Sequence, residues 1–375
     1  MTDSPAPDLL PADHGPAGDL PGLAERVRAT MLGGALADAL ALSARADGAD
    51  GEGGAGAARD AAAAGPDAAT AAGEDRPLRI GADTQLSLYT MDGLLEAIEW
   101  AAAGEAADET ACQWLAQLRW LRTQDVEWPE QAPSPLPRWI DDRAVLHADR
   151  GHQGQTLEAL RTGMMGEVER PVLPEADDRT VAVRSIPYGL LPVGWRSIAP
   201  LTIDAAAITH GDAEAQTAST ALALTLQAAA AAGCRGEPQP VRAAAEAALS
   251  VLDRLTRPSQ RTAQLLREAV DDEAPEHAAG QDDGSAPAAV ARGVRAALHA
   301  EERGVDPEEQ WESAVTAALG GDAGRERTCA PVAGSLTAAA LGAAALPEAR
   351  LARLDAREVI EEAARRWVEG LGITG

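Results

Sequence analysis

The sequence predicts an all-α fold, a single compact multi-helix bundle. Two observations carry this. Apolar residues recur at i, i+3, i+4, i+7 spacing along most of the chain, and almost no segment shows the period-2, β-branched pattern of a strand. Residues 1–20, rich in Pro, Asp and Gly, read as a disordered tail, and residues 21–375 as one domain. A helix begins near Leu23 and runs to about Leu42. Residues 46–76 are Gly, Ala, Asp and Glu with no large apolar side chain before Leu78, too little to offset ordering entropy, so a long mobile inserted loop is expected. Helices follow over Leu86–Ala103, with Leu88, Met91, Leu94, Leu95 and Ile98 on one face, and over Glu109–Thr123. After a Pro-rich loop at Pro129–Pro137, short helices are predicted at Leu157–Thr162 and Tyr188–Leu191. Further helices are predicted over Asp204–Ile208, Ala213–Ala232, Val241–Leu255, Ser259–Val270, Ala288–Glu301, Glu308–Ala318, Ala333–Ala345 and Ala356–Leu371. Residues 272–286 read as a second mobile, acidic loop.

Composition narrows the function classes. The chain has 375 residues, 46% of them hydrophobic, and a net charge of −27. It contains no Phe, Lys or Asn, three residues that share AT-rich codons, so this bias reflects a GC-rich genome before it reflects function. A field this negative argues against nucleic acid and anionic membrane as partners, because no arginine cluster overrides it. Cys112, Cys234 and Cys329 share no CxxC spacing and suggest neither a disulfide framework nor a zinc site. The N-terminus lacks a basic segment followed by an apolar one, and no apolar run of membrane length stands outside the Ala-rich helices. A cytoplasmic protein is expected.

The chemistry concentrates in a few segments. Ile80-Gly81-Ala82-Asp83-Thr84-Gln85-Leu86 opens a helix with an acidic and a hydroxyl residue. Upstream lies Gly33-Gly34-Ala35-Leu36-Ala37-Asp38-Ala39-Leu40-Ala41. Downstream come Leu118–Thr123 with Gly154–Arg161, then Val183–Leu190, then Ile208-Thr209-His210-Gly211-Asp212, and last Ala323–Gly334. In this order and spacing they resemble the ADP-ribosylglycohydrolase family, as a divergent bacterial member related to the dinitrogenase reductase-activating glycohydrolases. The family patterns are [ST]-D-D-T-Q-[ML], G-x-x-x-G-D-A-[LM]-G, M-R-[IV]-[AG]-P-[LVI]-G-L, [LI]-T-H-G-[DH] and G-[GN]-D-x-D-[ST]-x-A-x-[IV]-A-G. The resemblance spans roughly residues 23–370.

The resemblance implies an all-α ADP-ribosylglycohydrolase-like bundle with a dinuclear Mg²⁺ or Mn²⁺ site that releases ADP-ribose. The matching positions depart from that chemistry. Gly81 and Ala82 fall where a hydroxyl and an aspartate are expected, and only Asp83 and Thr84 keep their types. Asp38 matches an aspartate, but reads equally as a helix-packing polar residue. Arg45 stands where the family has a carboxylate. Asp177-Asp178-Arg179-Thr180-Val181 replaces a Gly-rich phosphate loop, with side chains that crowd and aspartates that repel a phosphate. One register of the last motif keeps Thr328 and puts Arg325 and Arg327 on its two aspartates. A rival register keeps Asp322 at the cost of an insertion.

A hard divalent cation wants about six oxygen ligands, and either register loses at least one. Gly81, Ala82, Asp83, Thr84, Asp38, Arg325, Arg327 and Thr328 are therefore read as vestigial metal-site positions. Asp83 and Asp322 are the residual metal ligands, and Arg45, Arg179, Arg184, Thr209 and His210 the ligand-pocket candidates. Thr209-His210 reads equally as a structural pair, and Arg325 and Arg327 as solvated turn residues. Three functions stay open: a pseudoenzyme that binds ADP-ribose, an ADP-ribosylated protein or another partner, with no cofactor; a hydrolase that keeps Mg²⁺ or Mn²⁺; and a scaffold with a filled pocket.

Overall fold

The structure, a computed structural model, describes residues 22–53, 76–150, 154–255, 260–271, 283–304, 306–320 and 329–373, without the side chains of 45–53. Among these, helices alternate with short turns, and β pairing is limited to isolated bridges such as Leu78 with Leu354. In chain order the helices are α1 (Leu23–Gly53), α2 (Ala82–Ala102), α3 (Glu109–Leu121), α4 (Gly154–Arg161) and α5 (Thr180–Val183). Next come α6 (Trp195–Ala207), α7 (Ala213–Cys234), α8 (Pro240–Leu252), α9 (Gln260–Val270) and α10 (Ala286–Glu302). The series ends with α11 (Pro307–Leu319), α12 (Ala330–Leu341), α13 (Glu348–Leu351) and α14 (Arg357–Gly370).

The starts follow local chemistry. Asp108, Asp212 and Asp306 cap α3, α7 and α11 with side-chain oxygens, which satisfies otherwise orphaned N–H groups. Proline sits in the first turn of α8, α10, α11 and α12, where its missing N–H costs nothing. Gly342, at φ 77°, ends α12 in a conformation that favours glycine.

Three segments differ from the sequence reading. First, α1 continues through 46–53, where a loop was expected: three of its eight residues are glycine, but no proline stops the long helix that leads into it. The rest of that predicted loop, 54–75, lies outside the described residues, as does 272–282 of the acidic one. Second, α6 starts at Trp195, well before Asp204, and runs through Pro200. Third, the 3-10 turns at Trp139–Asp142 and Ala144–Leu146 and the one-turn helices α5 and α13 were not foreseen, being too short to show a period.

The core is built on α1, α7 and α12. Every residue of α7 from Ala215 to Ala232 is buried, and it packs against α6, α8, α10 and α12. Leu23–Ala44 is long and apolar enough to cross a membrane by length and composition, but most of it is buried against the rest of the fold. Its closest neighbour is α12. A Cβ at Gly33 would lie 2.6 Å from the Ala338 Cβ and 2.7 Å from the Gly334 carbonyl oxygen. One at Gly334 would lie 2.6 Å from the Ala37 Cβ. Pairing Gly33 with Ala338 and Ala37 with Gly334 makes the two helices antiparallel. Arg26 completes the contact by donating to the Ala339 carbonyl (2.9 Å) near the α12 C-terminus, where the helix dipole favours a cation. Asp38, in the middle of α1, therefore lies near the first turns of α12.

Gly334→Ala tests this crossing. The added methyl forces two backbones apart, and we expect a loss of about 1–3 kcal/mol. It should register as a lower urea midpoint at unchanged m-value.

Candidate functional site

The entry to α2 is fixed from outside. Leu78 pairs with the chain around Leu354, and Asp355 accepts from the Ile80 N–H (3.1 Å) while pairing with Arg150 (2.8 Å). The helix then begins on Gly81, whose backbone is extended and which has no side chain to cap it. Asp38 of α1 does that work in trans. Its Oδ2 accepts from the N–H of Gly81 (2.8 Å) and of Thr84 (3.3 Å), and from the Thr84 hydroxyl (2.5 Å). A carboxylate at a helix N-terminus satisfies orphan donors and meets the positive end of the dipole. Glycine at 81 is what admits it, because a Cβ there would lie 2.6 Å from one Asp38 oxygen and 2.9 Å from the other.

Asp83, the next buried carboxylate, meets the 177–181 loop: Arg179 Nε lies 3.4 Å from its Oδ2. The loop itself is tightly held. Asp178 accepts from the N–H groups of Gln155 (2.7 Å) and Thr180 (2.9 Å), and the Gln155 side-chain oxygen accepts from the N–H groups of Asp177 (2.8 Å) and Asp178 (2.9 Å). His210 Nε2 lies 3.4 Å from Asp178 Oδ1, and its Nδ1 lies 2.8 Å from the Thr209 hydroxyl. Arg184 donates to that hydroxyl (2.9 Å), to Gln117 (3.1 Å) and to the Ala205 carbonyl (2.9 Å). Arginine only donates, so the Thr209 proton is available to Nδ1, and His210 carries its own proton on Nε2, facing Asp178.

These contacts set the charge states. Burial pushes the Asp38 carboxyl up to about 6, aided by Asp83 and opposed by the bonds from Thr84 and Gly81 and the charge of Arg179. Burial also pushes Asp178 up, but bonds from His210, the Gln155 backbone and Thr180 outweigh it and hold the carboxyl well below the usual range. Burial pulls His210 down against the attraction of Asp178, and pulls Arg184 down to about 10.

The structure thus brings together Asp38, Gly81, Ala82, Asp83, Thr84 and Arg179, and it threads Arg184, Thr209 and His210 into one buried chain that ends on Asp178. Asp322, Arg325, Arg327 and Thr328 lie outside the described residues, as does the Arg45 side chain. The Leu118–Thr123 segment is architectural. Buried Arg119 pairs with Asp92 (3.1 Å) and Glu96 (3.0 Å), and Trp120 donates to Gln85 (3.2 Å), whose amide holds the turn at Leu146 and Ala148. Sequence reasoning missed Asp178 as an anchor. The signal was there in Gln155, a polar residue at the start of a short helix that needs a cap.

The profile of the ADP-ribosylglycohydrolase family matches residues 19–373. The chain belongs to that family. A solved ADP-ribosylglycohydrolase-related protein complex has the same fold, with a TM-score of 0.54 and 22% identity, covering 93% of this chain and 99% of that one. No curated protein matches the chain.

Family membership implies a pair of divalent cations, and the described donors do not fit them. Gly81 and Ala82 carry no side-chain ligand atom. Thr84 spends its hydroxyl on Asp38, and Asp38 is spent on α2. Asp83 faces a guanidinium. Among the described residues no group of three His, Cys, Asp or Glu could hold a metal ion.

Asp38 gives a pH test. Its folded-state value lies above that of a free aspartate, so its contribution to stability is full below about pH 4 and is lost as pH rises through about 6. Asp38→Asn keeps an oxygen acceptor and has no charge to lose. Relative to wild type it should gain about 2–3 kcal/mol between pH 4 and pH 8 in urea melts. A constant difference over that range would show that Asp38 titrates normally.

Proposed function

We propose that this ADP-ribosylglycohydrolase family member is a pseudoenzyme. On this reading it no longer performs dinuclear-metal hydrolysis and acts in the cytoplasm by binding ADP-ribose or an ADP-ribosylated protein. The observation that carries the reading is the double use of Asp38 and Gly81. The position that should supply a hydroxyl ligand is a glycine, and the carboxylate that should face a metal ion fills the space this opens. A carboxylate committed to three donors at a helix N-terminus is a poor ligand for a hard cation that wants charge and about six oxygens. The ligand class comes from the family, whose members act on ADP-ribose or ADP-ribosylated substrates.

Thermal melts with ADP-ribose, Mg²⁺ and Mn²⁺ check this. ADP-ribose should raise the Tm, since a ligand at about 100 times its Kd adds about 2.7 kcal/mol. Neither ion should move it. Mn²⁺-dependent release of ADP-ribose from a modified protein would establish the hydrolase instead, and a melt unmoved by ADP-ribose would leave a scaffold.

A further inference from the structure

We infer that Arg179 is a built-in cation, whose guanidinium holds the place beside Asp83 that a divalent metal ion would otherwise take. The inference rests on the pseudoenzyme reading and gives it a mechanism. Asp38 and Asp83 are both buried at one helix end, and two such carboxylates cannot both stay ionised without a countercharge. The α2 dipole supplies only a fraction of one. Arg179 supplies a permanent unit charge within reach of Asp83, on a largely buried side chain.

Its position is no accident of a loose loop. The backbone at 179 is pinned on both sides: its N–H donates to the Gly284 carbonyl (3.2 Å) and its carbonyl accepts from Val183 (3.1 Å). The preceding Asp178 is clamped by Gln155, Thr180 and His210. Asp178, His210, Thr209 and Arg184 are therefore positioning residues, which aim the guanidinium rather than touch a ligand. A cation approaching Asp83 meets a fixed like charge within a few ångströms, in surroundings that screen it poorly.

Mn²⁺ titration of the full chain tests the inference, with thermal melting as readout. Wild type should show no shift. Arg179→Met removes the charge and should bind Mn²⁺ at least about tenfold more tightly than wild type, with a rising Tm. Adding Asp83→Asn to Arg179→Met should abolish that gain. Arg179→Lys, which keeps a cation, should behave as wild type. If Arg179→Met alone fails to fold, recovery of the fold in the double variant supports the inference and failure of both overturns it. It is also overturned if folded Arg179→Met ignores Mn²⁺, or if the double variant responds equally. A wild-type chain that already binds Mn²⁺ overturns the pseudoenzyme reading itself, whereas silence from both wild type and Arg179→Met overturns only the role of Arg179.

Discussion

The close crossing of α1 and α12 is the constraint on which the rest of the structure depends. Gly33 and Gly334 remove the side chains that would hold the two backbones apart, and Ala37 and Ala338 fill the remaining space with single methyl groups. The family pattern has glycine where this chain has Ala37. The substitution is accommodated because the Ala37 methyl faces Gly334, where no Cβ competes for the space. Trp311 seals the contact by donating to the Gly334 carbonyl (3.0 Å). Because the helices run antiparallel, this contact fixes where Asp38 points, and Asp38 in turn starts α2. A packing decision at residue 33 thus reaches the chemistry at residue 83 through one helix and one carboxylate.

At that helix end each buried carboxylate meets donors or a countercharge from within the protein. Asp38 lies against backbone N–H groups, Asp83 against Arg179, and Asp178 against His210 and two N–H groups. His210 is buried and pulled towards its neutral form, so it orders the loop as a hydrogen-bond donor and does not shuttle protons at the surface. Arg184 is buried among Gln117, Thr209 and backbone carbonyls rather than beside a carboxylate. It is held by hydrogen bonds, as burial of a charge demands. Polar groups that are satisfied on every side rigidify a core, which is what a platform for Arg179 requires.

Much of this was legible in the sequence, and the rest was hidden for physical reasons. Long amphipathic helices such as α2 and α7 declare themselves through periodicity. The resemblance singled out Asp38, Gly81 and Asp83 because motif order survives the loss of ligands. What the sequence did not reveal was pairing across the chain. Nothing local to Arg179 tells that it faces Asp83, and nothing local to Gly81 tells that an aspartate from α1 caps it. Composition misled at 46–53, where low complexity suggested a loop although no proline ends the helix, and before Asp204, where the predicted helix starts nine residues earlier, at Trp195.

The departures from the family pattern are coupled, and that is why single reversions would not rebuild a metal centre. A threonine at 81 would bring its Cβ to 2.6 Å from the Asp38 carboxylate, so Asp38 would have to give up its bonds to the α2 N-terminus before the hydroxyl could serve as a ligand. An aspartate at 82 would place a third carboxylate at a buried helix end that has Arg179 as a fixed cation, and would add desolvation cost without the ion that offsets it. Removing Arg179 alone would open Asp83 to a cation but would restore none of the ligands missing at 81 and 82. A further carboxylate at this helix end is tolerable only with a countercharge beside it. The carboxylates of Asp38 and Asp83 are balanced from within the protein. A helix dipole, a trans cap and an arginine on a braced loop together do so here.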